Sequence, residues 1–341
     1  MKAVMIFAKN DLRLVEKSIG QLQTNQVVLA VEWGGICGSD MSYFSHGRSG
    51  TVEVKQPLIV GHEFAGKILQ IGKGVKDLQI GDAVTVFPAK KISGVDLPSR
   101  LLGKDNLLAK VEYYGSAALP TDGGFVEEKI VEAWQAKKLP SGVSTKIGSL
   151  AEPLSVAAHA VAQAGEINLN QPILVNGSGP IGLLILAWLK FKGAKQVILS
   201  DMSDLALATA KKVGADKTIN VKTVSLPQDV ETVFEATGAM VALDGVLKAT
   251  ARGGTLVQVG NLPIVPQRTV IGQLVTREIK WQGSFRFTEA EFEEVVNSLD
   301  KIDGLEAVIS HEFSISQYKE AFVTATDKSM GAAKVLININ N

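Results

Sequence analysis

Between residue 2 and about residue 142, hydrophobic positions come in short runs, KAVMIF, NQVVLAVEW, FAGKILQIG, DAVTVFP and GGFVEEKIV, separated by glycine, proline and polar turn formers. Runs of that length predict strands and an irregular β-rich domain with few long amphipathic helices. At Glu152 the pattern changes. PLSVAAHAVAQAG is helical in composition, with Pro153 suited to a first turn and Gly165 to a stop. Strand-like and helix-like runs then alternate: PILVNG, PIGLLILAWLKFKG, QVILSD, SDLALATAKKVG, TVFEATG, ALDGVLKATARGG and TLVQVG. That order predicts an α/β domain built on a doubly wound parallel sheet. From about residue 283, TEAEFEEVVNSL and SISQYKEAFVTAT predict helices and AKVLINI a last strand. The layout is a nucleotide-type domain, 152–282, inserted between two parts, 1–151 and 283–341, of a β-rich domain.

The length of 341 residues fits two domains better than one core, and 46% hydrophobic with 21% charged residues points to a packed interior rather than disorder. Formal net charge is zero, so no global field draws the chain to nucleic acid or an acidic membrane. The longest apolar run, Ile181 to Leu189, is too short to span a bilayer. One cysteine, Cys37, leaves no internal disulfide, and MKAVMIFAKNDLRL has no signal-like apolar core, so a cytoplasmic setting is expected.

Gly177-Ser178-Gly179-Pro180-Ile181-Gly182 follows a strand-like run and opens an apolar helix. Glycines in that context allow a tight turn, close approach of backbone to a pyrophosphate and close helix–sheet packing. Asp201 ends the next strand, at the distance expected of an acid that bonds a ribose hydroxyl pair. Its charge would repel a 2′-phosphate, and MSDLALA offers no arginine, so NAD is predicted over NADP. Thr237-Gly238 and Val259-Gly260 close later strands and are candidate walls for the nicotinamide half.

Cys37, in GGICGSD, gains meaning beside His62 and Glu63, in GHE, and Glu152 at the domain junction. A thiolate, an imidazole and one or two carboxylates suit a tetrahedral zinc that keeps an open position. A Lewis acid paired with a hydride acceptor makes a coherent redox site.

Together CGSD, GHEFAGKILQIGKGVKDLQIGDAV, AEPLSVAAHA and NGSGPIG resemble the zinc-dependent medium-chain alcohol and polyol dehydrogenases over nearly the whole chain. YYGSAALPTDGGF and GSFRFTEAEF narrow the likeness to the sorbitol and L-idonate 5-dehydrogenase branch, nearer its idonate side. The resemblance implies a GroES-like catalytic domain around an inserted Rossmann domain, with catalysis in the cleft between them. It makes Cys37 and His62 zinc ligands and Glu63 the third, with Glu152 either binding zinc or holding its water. Ser39 would touch the alcohol oxygen, and Tyr43 and Arg286 would line the polyol pocket. His46 and Arg48, in SHGRSG, read as solvated loop residues.

The implied reaction is reversible NAD-linked oxidation of L-idonate to 5-keto-D-gluconate. Sorbitol or xylitol oxidation is the second reading, and a nucleotide-binding protein without catalysis the third. Two departures from the family stand out. The stretch FPAKKISGVDLPSRLLGKDNLLAKVEYYGS lacks the four cysteines of a structural zinc, so one catalytic ion is expected and Leu97, Leu101, Leu102, Leu107 and Leu108 are candidates to pack that lobe. Ser42 stands where many relatives carry a proton-relaying histidine. RTVIGQLVTREIKWQGS reads as β-rich and resembles the segment that pairs across a two-fold axis, which implies a homodimer or homotetramer.

Overall fold

The computed structural model describes residues 1–262, 271–327 and 330–341. These divide into two compact units, Met1–Glu152 with Thr288–Asp300 and Ile309–Asn341, and Pro153–Phe287 with Lys301–Val308.

In the first unit, among the described residues, a mixed sheet runs in the order Ala136–Lys138, Ala83–Val86, Glu63–Ile71, Gln26–Gly35, Lys334–Asn338, Ile309–Ser314, and Glu128–Glu132 also pairs with Gln26–Gly35. In the central strand Val27, Leu29 and Val31 join the core cluster, and Val28 is buried as well. Phe64, Phe125 and Phe322 fill the space beside them, Phe125 meeting Phe322 edge-on at 6.2 Å between centroids. Strand Lys2–Ala8 pairs with Asp11–Glu16 and Leu58–Ile59 to form a smaller sheet over the same core.

The second unit is the predicted doubly wound sheet. Its parallel strands run Lys217–Asn220, Gln196–Asp201, Pro172–Asn176, Val230–Glu235, Thr250–Gln258, Lys280–Gly283. Numbered by sequence this is the order 3-2-1-4-5-6 of a dinucleotide-binding fold. Helix Pro180–Phe191 buries every residue from Gly182 to Leu189, as expected of a helix apolar on all sides.

The structure corrects several expectations. The stretch after Cys37, in the domain expected to be β-rich, forms a helix, Gly38–His46. Strand Thr250–Gln258 starts inside the predicted helix ALDGVLKATARGG, because Thr250 pairs with Val230 in the parallel ladder, which then shifts register before Thr255 pairs with Thr232. Part of RTVIGQLVTREIKWQGS is helical, Gly272–Thr276, before the edge strand Lys280–Gly283, and its first three residues lie outside the described set. The expected boundaries at 151/152 and 282/283 move to 152/153 and 287/288. Lys301–Val308 belongs with the second unit, because Leu305–Val308 packs on helices Pro180–Phe191 and Asp204–Val213.

None of the five candidate leucines packs the thiol-free lobe as core. Leu97, Leu101 and Leu108 are half-buried, and Leu102 and Leu107 are 74% and 41% exposed. Polar bonds hold the lobe instead. Val111–Tyr113 pairs with Ala89–Lys91, and the Tyr114 hydroxyl donates to Gln135 Oε1 at 2.9 Å. Gln135 Nε2 then donates to the carbonyls of Phe87 and Ala89.

Candidate active site

Strand Gln26–Gly35 delivers the chain to Cys37, which sits at the N-terminal end of helix Gly38–His46. Asp40, fully buried in the first turn, fixes this corner. Its Oδ2 accepts the Cys37 N–H at 3.0 Å and its Oδ1 the Gly61 N–H at 3.2 Å. One carboxylate thus ties the Cys37 corner to the GHE corner and brings His62 alongside, with Nδ1 4.0 Å from Asp40 Oδ1. Glu63 begins the next strand, and the ligand atoms of Cys37, His62 and Glu63 all lie within 4.8 Å of one another.

Two side chains that the sequence did not single out complete the surroundings. Lys334, the first residue of strand Lys334–Asn338, donates from Nζ to Glu63 Oε1 and Oε2 at 2.8 and 2.7 Å and to the Ile36 carbonyl at 3.1 Å. Tyr113 donates its hydroxyl to Glu152 Oε1 at 2.7 Å and sets its ring edge against His62, 5.6 Å between centroids. Burial pushes the Glu152 carboxyl up to about 7, and the nearby Glu63 adds to this, while His62 and the Tyr113 bond pull the other way. Burial opposes the charge on His62, but Cys37, Asp40 and Glu152 outweigh it and raise its pKa well above the usual value. Lys334 follows the same logic, burial opposing and Glu63 and Cys37 holding it as the ammonium.

Three buried carboxylates, Asp40, Glu63 and Glu152, and one thiol thus gather around a single imidazole and a single ammonium. Such a surplus of buried anionic donors, mixed in S, N and O, fits a divalent zinc ion.

Among the other predicted residues, Ser39 occupies the first turn of the Cys37 helix. Ser42 Oγ donates to the Gly38 carbonyl at 2.9 Å, the back-bond typical of a helical serine. Tyr43 lies in the core, 4% exposed, and its hydroxyl accepts the Ala117 N–H at 3.2 Å. Arg286 lies in the second unit with a left-handed φ of 54°, its guanidinium 4.8 Å over the Phe285 ring.

The glycine-rich turn of the second unit has the shape of a phosphate cradle. Gly177 has φ +105°, a Cβ on Gly182 would sit 1.9 Å from the Gly177 carbonyl oxygen, and Gly179 faces open space. Pro180 and Ile181 start the following helix. The Ser178 hydroxyl is buried without a hydrogen-bond partner among the described residues, as a group that bonds a ligand would be. Asp201 accepts the N–H groups of Ser178 and Ser203 at 2.8 and 2.9 Å, so the acid is fixed beside this turn. These features fit a dinucleotide.

The four nicotinamide-wall candidates hang on one residue, Glu235, which the sequence reading passed over. Its buried carboxylate accepts from Thr237 N and Gly238 N at 2.8 and 3.0 Å, from the Thr237 hydroxyl, and from Gln258 Nε2 at 2.6 Å. Its carbonyl accepts the N–H groups of both Val259 and Gly260 at 2.9 Å.

Residues 23–141 match the family model "Alcohol dehydrogenase GroES-like domain" and residues 180–301 the model "Zinc-binding dehydrogenase". The chain belongs to the zinc-binding medium-chain dehydrogenases, as a GroES-like domain joined to a Rossmann domain, and is an alcohol or polyol oxidoreductase. Within that family it falls in the sorbitol and idonate branch. Sorbitol dehydrogenase of Gallus gallus is 34% identical over 334 residues, spanning 94% of this chain and 92% of the relative. The crystal structure of L-idonate 5-dehydrogenase from Escherichia coli superposes with a TM-score of 0.91 at 31% identity, covering 99% of this chain and 97% of the other. An Escherichia coli alcohol dehydrogenase complexed with NADH gives 0.85 at 27% identity, covering 99% of each chain. A Sinorhizobium meliloti structure bound to NADP gives 0.88 at 25% identity, covering 99% of this chain and 98% of the other. Among the described residues no helix is long and apolar enough to cross a membrane.

Proposed function

We propose that the chain catalyses reversible NAD-linked oxidation of a secondary alcohol of a sugar acid, L-idonate to 5-keto-D-gluconate, with one catalytic zinc and no structural zinc. The observation that carries this reading is the donor set of half-buried Cys37 and buried His62 and Glu63, with ligand atoms within 4.8 Å and Glu152 beside it. Cys37, His62 and Glu63 would hold the ion. When bound, zinc supplies charge stabilisation at the substrate hydroxyl and the nicotinamide accepts hydride.

The chain's own residues do the rest. Ser39 contacts the reacting hydroxyl, and Arg286 pairs with the aldonate carboxylate in the bidentate manner open to a guanidinium. Tyr43 would line the polyol pocket, its hydroxyl accepting the Ala117 N–H and keeping its own proton to donate. Gly177 to Gly182 cradle the pyrophosphate, and Glu235 holds Thr237, Gly238, Val259 and Gly260 against the nicotinamide. Asp201 favours NAD, since its fixed negative charge would repel a 2′-phosphate. The working form is a cytoplasmic homodimer or homotetramer, paired through the edge strand Lys280–Gly283.

A second reading, oxidation of sorbitol or xylitol, has the Gallus gallus relative in its favour. A panel of L-idonate, sorbitol and xylitol, run with NAD and NADP before and after chelation, tests both. Faster turnover of an uncharged polyol would move the assignment to the second reading. No reduction of either nucleotide with any of the three would sink both. Arg286→Ala should remove any advantage of the acid, and a monomer in light scattering would refute the oligomer.

A further inference from the structure

The thiol-free lobe brings one side chain to the metal site, Tyr113, at the end of its short hairpin opposite Ala89. Its hydroxyl donates to Glu152 Oε1 at 2.7 Å, and its ring stands edge-on to His62. The two carboxylates that compete to complete the zinc site are therefore tethered differently. Glu63 is neutralised by the Lys334 ammonium and keeps its oxygens within 4.8 Å of the Cys37 and His62 donors, whereas Glu152 is bonded to a neutral hydroxyl on another element.

We infer that Tyr113 is a positioning residue that holds Glu152 out of the ligand set. The ion then keeps three protein ligands and one position open to substrate, as a catalytic rather than a structural zinc requires. The hairpin, stitched to the sheet through Tyr114 and Gln135, is what aims the Tyr113 hydroxyl. The lobe thus serves the active site even though it has no thiols of its own. Without this hydroxyl, Glu152 is free to turn toward the ion as a fourth protein ligand and close the open position. The inference rests on the proposed metal site at Cys37.

The test uses the full chain, stripped with a chelator and titrated with Co²⁺ and, separately, Zn²⁺. Parent, Tyr113→Phe, Glu152→Gln and the double variant are compared, with circular dichroism to confirm folding. The thiolate-to-cobalt absorption band reports Cys37, and the visible ligand-field bands report the coordination around the ion. Tyr113→Phe should keep the first and change the second. It should also tighten zinc binding and raise the substrate KM, each by on the order of tenfold, the usual size of an outer-partner effect. In the Glu152→Gln background the same substitution should change none of these.

Superimposable ligand-field bands for parent and Tyr113→Phe, or an effect that persists undiminished in the Glu152→Gln background, would overturn the inference. A parent protein that shows no thiolate-to-cobalt band would instead overturn the metal site itself. Should Tyr113→Phe fail to fold, Glu152→Gln still decides. It removes the carboxylate said to be held back, so a change in its ligand-field bands matching direct loss of a ligand would refute the tether.

Discussion

Lys334→Met tests whether the buried ammonium is the counter-ion of Glu63 beside Cys37 and His62. The side chains of Lys334 and Glu63 are 3% and 1% exposed, and both Glu63 oxygens rely on Nζ, at 2.7 and 2.8 Å. Removing one member of such a pair strands the other, which costs about 3–5 kcal/mol. The Ile36 carbonyl also loses a donor. For a folding unit of roughly 200 residues, 1 kcal/mol corresponds to a shift of about 2–4 °C, so the melting temperature of the metal-stripped first unit should fall by about 6–20 °C. Calorimetry in a chelating buffer would read this, with Glu63→Gln/Lys334→Met as the control. With both charges gone, most of the loss should be recovered. A single variant within 1 °C of the parent, or a double variant no better than the single, would refute the account of Lys334 as the counter-ion.

Asp201→Ala should raise the KM for NAD and lower the preference for NAD over NADP by about 10- to 100-fold, the scale of a charged hydrogen bond of 1.5–3 kcal/mol, in initial-rate assays with each nucleotide. Glu235→Ala leaves the N–H groups of Thr237 and Gly238 without their acceptor, so NAD affinity measured by calorimetry should fall by about tenfold or more while zinc binding stays unchanged. Lys129 donates to the Asp122 carbonyl and lies 4.8 Å over the Tyr114 ring, and burial lowers its pKa from 10.5 to about 8. Between those values the unfolded chain binds more protons than the folded one, so this group makes stability rise with pH across about 8 to 10.5. Denaturation of Lys129→Met should lack that rise, with the difference from the parent changing by up to about 3 kcal/mol across the window.

The parallel sheet was readable because strands buried on both faces need continuous apolar runs such as ILV and VIL, and because glycine spacing reports backbone geometry directly. Helix Gly38–His46 was not, since GSDMSYFSH carries little helical propensity or periodicity. Asp40 bonding at its start and Phe44 packing against Phe322, 5.7 Å between ring centroids, hold it in place. The TARGG segment read as the end of the helix ALDGVLKATARGG, and pairing of Thr250 with Val230 in the ladder prevailed over that local reading. In the site, Cys37, His62 and Glu63 carried their chemistry in their types. Lys334 and Glu235 each read as a charge within an apolar run, AKVLINI and TVFEATG, which shows that a partner is needed but not which one. Tyr113 was visible only as half of an aromatic pair, because its meaning depends on a carboxylate 39 positions away.

The pairing of Lys334 with Glu63 spans 271 positions of sequence. At about 5–20 residues per second, a ribosome needs roughly 14–54 s to cover that distance. Throughout that interval the nascent chain already contains Cys37, His62 and Glu63, yet the ammonium that neutralises Glu63 in the finished core has not been made. Most of the inserted parallel-sheet unit is translated meanwhile, whereas the Glu63 corner must wait for strand Lys334–Asn338 to add its lysine. Until Lys334 has been made, the core around Glu63 therefore lacks its counter-charge.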